Sequence, residues 1–276
     1  MLTVRLRDAL PCRLQDAARL LLDTLSVRRR AARAQAHEAA APTRELARRV
    51  SPNGRVLAGP FKGLRLPLEA SWGGLAARLA GAYEEELTDL LSDLTAGRPP
   101  RVLDVGAAEG YYAVGLAQAL PDAQVYAFDL DPGQRRLCRK TARLNHVRTV
   151  RVRGRVDPRR LQRYLVPGAL VLSDCEGFED VLMDPALVPG LLDAALVVEL
   201  HEFAAPGVTE RVLSRFRASH EVQLIVARPR AISGLRQLDH LPVAERNAAV
   251  NEGRPTVSGP MQWAVMRPRP AAAASR

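Results

Sequence analysis

The stretch from Arg101 to Leu120, RVLDVGAAEGYYAVGLAQAL, constrains the chain more than any other. Val102, Leu103 and Val105 form an apolar run interrupted only by Asp104 and stopped by Gly106, the pattern of a short buried strand closing in a tight turn. Tyr112, Leu116 and Leu120 then recur at helical spacing, so Gly106 and Gly110 sit where a strand hands over to a helix. Such a junction presents backbone amides that the helix itself cannot use, and its glycines let a ligand approach the main chain.

The same strand-to-helix unit recurs downstream. Gln124 to Leu130 reads as a second strand, and Asp131-Pro132 supplies an N-cap and first-turn proline for a helix reaching about Asn145. Thr149 to Arg153 is a third strand, after which Asp157-Pro158 repeats the helix-start chemistry. Ala169 to Ser173, Ala195 to Leu200 and Glu221 to Ala227 follow as strands, with helices expected about Phe178 to Met183 and Val208 to Ala218. A seventh strand near Gln262 to Met266 comes after a long Pro- and Gly-bearing segment and need not keep the alternation. Strands alternating with helices predict an α/β fold, a Rossmann-like, doubly wound, mostly parallel seven-stranded sheet, here with an N-terminal helical extension.

Ahead of this unit, residues 1–50 predict a basic helical extension: Leu14, Ala18, Leu21 and Leu25 are at helical spacing, and a break near Pro42 leaves Thr43 to cap a second helix. Residues 51–98 predict a hairpin around Gly59-Pro60, then one helix from about Leu75 to Thr95, together capping the ligand site, with Trp72 and Tyr83 available to line its mouth. Residues 99–268 form the main domain, and 269–276 are a Pro- and Ala-rich tail expected to be disordered.

Composition narrows the setting. Apolar residues make up 47% and charged residues 25% of 276, as in a soluble globular protein. No stretch reaches the length of an apolar span, and the first residues lack a signal-peptide core, so a cytoplasmic location is expected. Cys12, Cys138 and Cys175 are scattered, which suggests neither a disulfide framework nor a thiolate zinc site. The net charge of +10 invites nucleic acid as a partner. Yet residues 1–50 hold eleven Arg against three Asp and two Glu, and the remaining excess of four charges is spread over 226 residues.

Acidic residues gather at the strand ends. Asp129 lies 23 residues after Gly106, near the spacing of an acidic ribose partner, while Asp131 is explained as a helix cap. The fourth strand ends in Ser173-Asp174-Cys175-Glu176-Gly177-Phe178-Glu179 and the fifth in Glu199-Leu200-His201-Glu202. Both ends should face the edge where open parallel sheets bind ligands.

These motifs carry a resemblance. Ala108 stands where a dinucleotide fingerprint needs its second glycine, and the D-x-G-x-x-x-G pattern instead resembles the first motif of class I S-adenosylmethionine (SAM) methyltransferases. With YAFDLDP, SDCEGFE and VVELHEF in order, the segment from about 100 to 203 resembles the FkbM-type methyltransferases. The resemblance implies cofactor contacts from Asp104, Gly106, Ala107, Gly110, Tyr111, Asp129 and Asp174, with Asp174 and Glu176 at the transfer site. It also implies methylation of a hydroxyl on a small-molecule or carbohydrate-like acceptor. Ser173 stands where that family often has lysine, so no role of a lysine carries over.

Absent elements shape the reaction further. No Asn- or Asp-Pro-Pro-aromatic run follows the fourth strand, as amine methylation of bases would want, and Cys175 between two carboxylates is a poor nucleophile. His201, on the same strand face as Glu199 and beside Glu202, is expected to be the general base, with Glu176 as its rival. Asp174, Glu176, Glu199 and His201 could ligate a divalent ion, but their spacing fixes no ligand set and no metal is assigned. An RNA methyltransferase using the arginine-rich N-terminus, and a binding module without turnover, stand as alternatives. Nothing in the sequence sets an oligomeric state.

Overall fold

Alternate residues of the central strands feed two separate cores, and this period of two explains the layered architecture. In the computed structural model, which describes residues 41–70, 74–228, 230–252 and 261–270, the strands are β1 (Arg101–Val105), β2 (Gln124–Phe128), β3 (Val150–Arg153), β4 (Leu170–Ser173), β5 (Ala195–Leu200), β6 (His220–Val226) and β7 (Gln262–Pro268). They form one sheet in the order β3-β2-β1-β4-β5-β7-β6. Val102, Ala127, Leu172, Val197 and Val265 enter one core, while Leu103, Phe128, Val171, Val198 and Met266 enter the other. Each fully buried Leu or Val contributes roughly 1.5–3 kcal/mol, so a one-residue slip of any central strand is strongly disfavoured.

The nine α-helices among the described residues are α1 (Ala41–Val50), α2 (Leu75–Ala80), α3 (Thr88–Ala96), α4 (Tyr111–Ala119), α5 (Pro132–Leu144), α6 (Pro158–Tyr164), α7 (Glu179–Leu182), α8 (Val208–Phe216) and α9 (Val243–Val250). Residues of α1 to α5 and α9 pack into the first core, and residues of α6, α7 and α8 into the second. β1 to β5 are parallel; β7 runs antiparallel to both β5 and β6, a departure from the alternation that the sequence left open. The order reverses between β1 and β4, which opens a crevice above their carboxyl ends.

The predicted helix starts are realised: Asp131 accepts from the amides of Gly133 and Gln134, and Asp157 from that of Arg160. Three expectations are corrected. Thr43 is not a cap, because α1 runs through it from Ala41. The hairpin reduces to one isolated bridge, Arg55 to Arg65. The single helix over 75–95 is instead α2, a 3₁₀ turn at Glu85–Leu87, and α3. Gly81 stops α2 in the left-handed conformation, with the Ala58 carbonyl so close that any Cβ would lie 2.2 Å from its oxygen. The expected helices before residue 41, Cys12, Trp72, and residues 271–276 of the tail lie outside the described residues. No helix among the described residues is long and apolar enough to cross a membrane.

Candidate active site

The crevice over β1 and β4 is a cavity of about 620 Å³, within the range of small-molecule and cofactor sites. Three chain segments wall it. The β1–α4 turn supplies Asp104, Gly106, Ala107, Glu109, Tyr111 and Tyr112; the ends of β2 and β3 supply Phe128, Asp129, Leu130 and Arg155; the end of β4 supplies Asp174, Cys175 and Glu176. Arg78 and Tyr83 close it from the segment around α2, and Trp263 reaches in from β7.

Gly106 does a different job from the one its motif suggests. Its φ is +90°, and a Cβ there would sit 1.6 Å from the carbonyl oxygen of Asp174. The glycine therefore admits the neighbouring strand end, whose Asp174 amide donates to the Val105 carbonyl at 2.8 Å. Gly110 is not a wall of the cavity; it lies against Cys138 of α5, where a Cβ would meet Sγ at 2.8 Å. The amides of Gly106, Ala107 and Gly110 are already bonded within the protein, to the carbonyls of Phe128, Phe128 and Ala107. None of these three amides is left for a ligand.

At the β2 end the carboxylates are supplied with donors. Asp129 Oδ2 accepts the Ala108 amide at 2.9 Å and Oδ1 accepts the Asp131 amide at 2.7 Å, which fixes the carboxylate at the cavity wall with further lone pairs to spare. Burial raises the Asp129 pKa, against these bonds. The β1 end is the opposite. Asp104 Oδ2, Glu109 Oε2, the Tyr111 hydroxyl and Trp263 Nε1 are buried without a hydrogen-bond partner, and all belong to residues walling this cavity. Arg78 and Glu109 approach to 2.8 Å as an ion pair, and Arg78 lies over the Tyr83 ring, 4.3 Å from its centroid. Burial, then the charge of Asp174, pushes Asp104 up to about 8. Orphaned donors and acceptors concentrated at one end of a cavity fit a zwitterionic ligand group.

Side chains at the β4 and β5 ends face one another. His201 Nδ1 lies 2.7 Å from Glu179 Oε1. That oxygen also accepts the amides of Cys175 and Gly177, so Glu179 is an ionised acceptor and Nδ1 carries a proton. His201 Nε2 points at Asp174 Oδ1 (3.4 Å), Glu176 Oε2 (3.6 Å) and Glu199 Oε2 (3.9 Å). Burial opposes the imidazolium, but the Glu179 bond and the surrounding carboxylates prevail and raise its pKa above 6.5; burial likewise opposes the Glu179 charge, which His201 holds below 4.5. Burial, relieved by His201 and reinforced by Glu176, pushes Asp174 up to about 6. Cys175 is raised by burial and by Glu179, as expected of an inert thiol.

Depth separates this geometry from the sequence reading. His201 is only 2% exposed and is not a wall of the cavity; Asp174 and Glu176, the latter 56% exposed at its side chain, stand between it and any acceptor. Of the two carboxylates nearest it in sequence, Glu199 lies 3.9 Å from Nε2, and Glu202 instead caps α8 through the amides of Gly207 and Thr209. The orienting carboxylate is Glu179, present in the D-x-E-G-x-E run but without an assigned role until the fold brought α7 against β5. Asp174, Glu176 and His201 also offer ligand atoms within 4.8 Å of one another, a donor set suited to a divalent cation. Arg78, Glu109 and Trp263 were not foreseen; only the buried charge implied by Arg78 inside an alanine-rich helix could have flagged the first of them.

Two curated relatives match parts of the chain. A release factor glutamine methyltransferase of Deinococcus radiodurans is 40% identical over 93 residues, 29% of this chain and 34% of that protein. A ribosomal protein L11 methyltransferase of Bradyrhizobium diazoefficiens is 32% identical over 154 residues, 54% of this chain and 46% of that protein. The chain thus spans about a third to a half of the length of these relatives. Among solved structures, TrmN from Thermus thermophilus aligns over 71% of this chain and 53% of that one, with 21% identity and a TM-score of 0.43. No family model matches the chain. The strand order, with its antiparallel seventh strand, is that of the class I methyltransferase fold, whose cofactor is S-adenosyl-L-methionine.

Proposed function

We propose that the protein is a SAM-dependent methyltransferase of the FkbM type that methylates a hydroxyl on a small-molecule or carbohydrate-like acceptor. The observation that carries the cofactor reading is the division of the cavity: a donor-supplied carboxylate, Asp129, at one end, and orphaned buried charges and dipoles at the other. Asp129 has lone pairs left for the two ribose hydroxyls, Asp104 and Glu109 can accept from the ammonium of the methionine part, and Arg78 and Trp263 Nε1 can donate to its carboxylate.

When bound, the cofactor supplies an electrophilic methyl group on a sulfonium centre. The chain's own part is to position the acceptor oxygen and take its proton. Asp174 is placed for this, at the cavity wall with a pKa of about 6, close enough to neutrality to be ionised and still basic. His201 acts through Asp174: its charge, held by Glu179, keeps that carboxylate from rising further. Glu176 adds negative charge at the open rim. Hydroxyl methylation rather than amine methylation is favoured by this base, since an alcohol needs its proton removed as the methyl arrives whereas a neutral amine attacks through its free lone pair.

Thermal-shift titration with SAM, S-adenosylhomocysteine and NAD tests the cofactor. Stabilisation by both adenosyl ligands of about 2.7 kcal/mol at a hundredfold excess over Kd is expected, and stabilisation by NAD alone would overturn the reading. Incubation of the enzyme with cell extract and isotopically labelled SAM, followed by mass spectrometry of the product, identifies the acceptor; label on nitrogen would replace the hydroxyl assignment.

A further inference from the structure

The charge excess outside residues 1–50 is not spread evenly. Between residues 132 and 164 the sequence places eleven arginines and Lys140 against one acidic residue, Asp157. The fold gathers this span at one edge of the molecule, as α5, the edge strand β3, and α6. Arg136, Arg139 and Arg143 are exposed and recur at i, i+3 and i+7, one face of α5, which is about 20 Å long at 1.5 Å per residue. Arg151 and Arg153 are exposed on one side of β3, with Val152 buried on the other; Arg155, Arg159 and Arg163 continue the exposed series.

Among the described residues none of the eleven arginines forms an ion pair; Arg135, Arg139, Arg153 and Arg160 donate only to backbone carbonyls, and Lys140 alone is paired, with Glu69. Self-repulsion of this density destabilises the fold unless a polyanion uses it. Asp157, the single acid, is occupied as the α6 cap.

We propose that the α5–β3–α6 edge, with α5 and α6 on opposite sides of the sheet and β3 between them, binds the phosphate backbone of a double-helical nucleic acid. Charge decides that the partner is a polyanion, and the rest of the edge decides which. No large hydrophobic side chain is exposed between residues 132 and 164, so the edge has no anchor for insertion into a lipid surface. Its one aromatic residue, Tyr164, is packed against Tyr126 and Phe128, so it offers no platform for unstacked bases. Guanidinium groups in rows, without stacking rings, suit a duplex read by its phosphates. Arg155 belongs both to this series and to the cavity wall, so a duplex on the edge lies against the mouth of the active site. This inference stands apart from the acceptor proposed above, since binding is measured without cofactor or turnover.

The test is fluorescence anisotropy of the full chain with a labelled 20-base-pair RNA duplex and its DNA counterpart across a salt series. Binding in the micromolar range at low salt, with log K falling against log salt at a slope of about −4 or steeper, is expected for both duplexes. Arg151→Gln/Arg153→Gln should weaken binding about tenfold and reduce the slope by about 2, and Arg139→Gln/Arg143→Gln, on a different element, should do the same. Thermal melting and SAM binding of each variant establish that it is folded. Unaltered duplex binding in both folded variants, a salt slope shallower than about −2, or binding of anionic phosphatidylglycerol vesicles where neither duplex binds would overturn the proposal.

Discussion

The β2 and β4 ends of the sheet both present acidic residues to one cavity, and they satisfy them in opposite ways. Asp129 accepts one backbone amide from its own turn and one from the β1–α4 turn, and Asp131 accepts two from the start of α5, so their geometry is fixed by the chain whatever the cavity contains. Asp174 and Glu176 instead face each other across a buried histidine, and Asp104, next to them on β1, has an oxygen with no partner at all. Backbone-bonded carboxylates make a preformed receptor; side chains balanced only by other side chains make a group whose protonation answers to whatever enters. One region is built for holding, the other for reacting.

The strongest way to break this contrast is to separate the two regions physically. Gly106→Ala would drive a Cβ into the Asp174 carbonyl at a positive φ, and should cost about 4 kcal/mol or more in chemical denaturation, enough to abolish folding. Asp174→Asn comes next: SAM affinity should stay near wild type while turnover falls by about 10²–10⁴-fold. His201→Ala sharpens the assignment. With the imidazolium gone Asp174 should become harder to ionise, so the acidic limb of the pH-rate profile moves to higher pH but survives, with less than about tenfold loss at pH 8. A limb that vanishes would return the base to His201.

Asp104→Asn has a smaller effect of opposite sign. The folded protein holds this carboxyl up to about 8 against 3.8 for an ordinary one, so in ligand-free protein the cost of ionising it grows as pH rises from about 4 to 8. The amide avoids that cost, and the variant should be about 2–3 kcal/mol more stable than wild type at pH 7.5, with little gain at pH 4, while binding SAM more weakly. Asp129→Asn, on the preformed side, turns an NH2 donor toward one of the two backbone amides that Asp129 accepts, so it should cost about 1–2 kcal/mol of stability and raise the SAM Kd about tenfold, with a smaller pH dependence than Asp104→Asn. Equal pH sensitivity of the two variants would dissolve the contrast.

How much of this was readable from residue order depends on the range of the interactions. The strands, the caps Asp131 and Asp157 and the glycine turn are local patterns, and they were legible to within a residue or two at most ends. The break of the 75–95 helix was not, because it depends on Gly81 meeting Ala58 across the chain. Strand parity put His201 at the carboxyl edge of the sheet but could not tell its depth, which is set by α7 folding over β5 and bringing Glu179 to Nδ1. Arg78 and Trp263 reach the cavity from segments far on either side of it in sequence, so no local spacing announces them. The basic edge was present in the composition, and averaging over 226 residues concealed it because acidic strand ends elsewhere cancel it.

The placement of β7 has a consequence for how the protein is made. Because β7 is threaded between β5 and β6, strand β6 has no sheet partner when it leaves the ribosome, and β5 waits with an open edge through the synthesis of some sixty further residues. The arrival of residues 262–268 completes the sheet and delivers Trp263 to the cavity in the same event. A nascent chain thus completes this cavity wall only when β7 enters between β5 and β6, after every other strand of the sheet has been made.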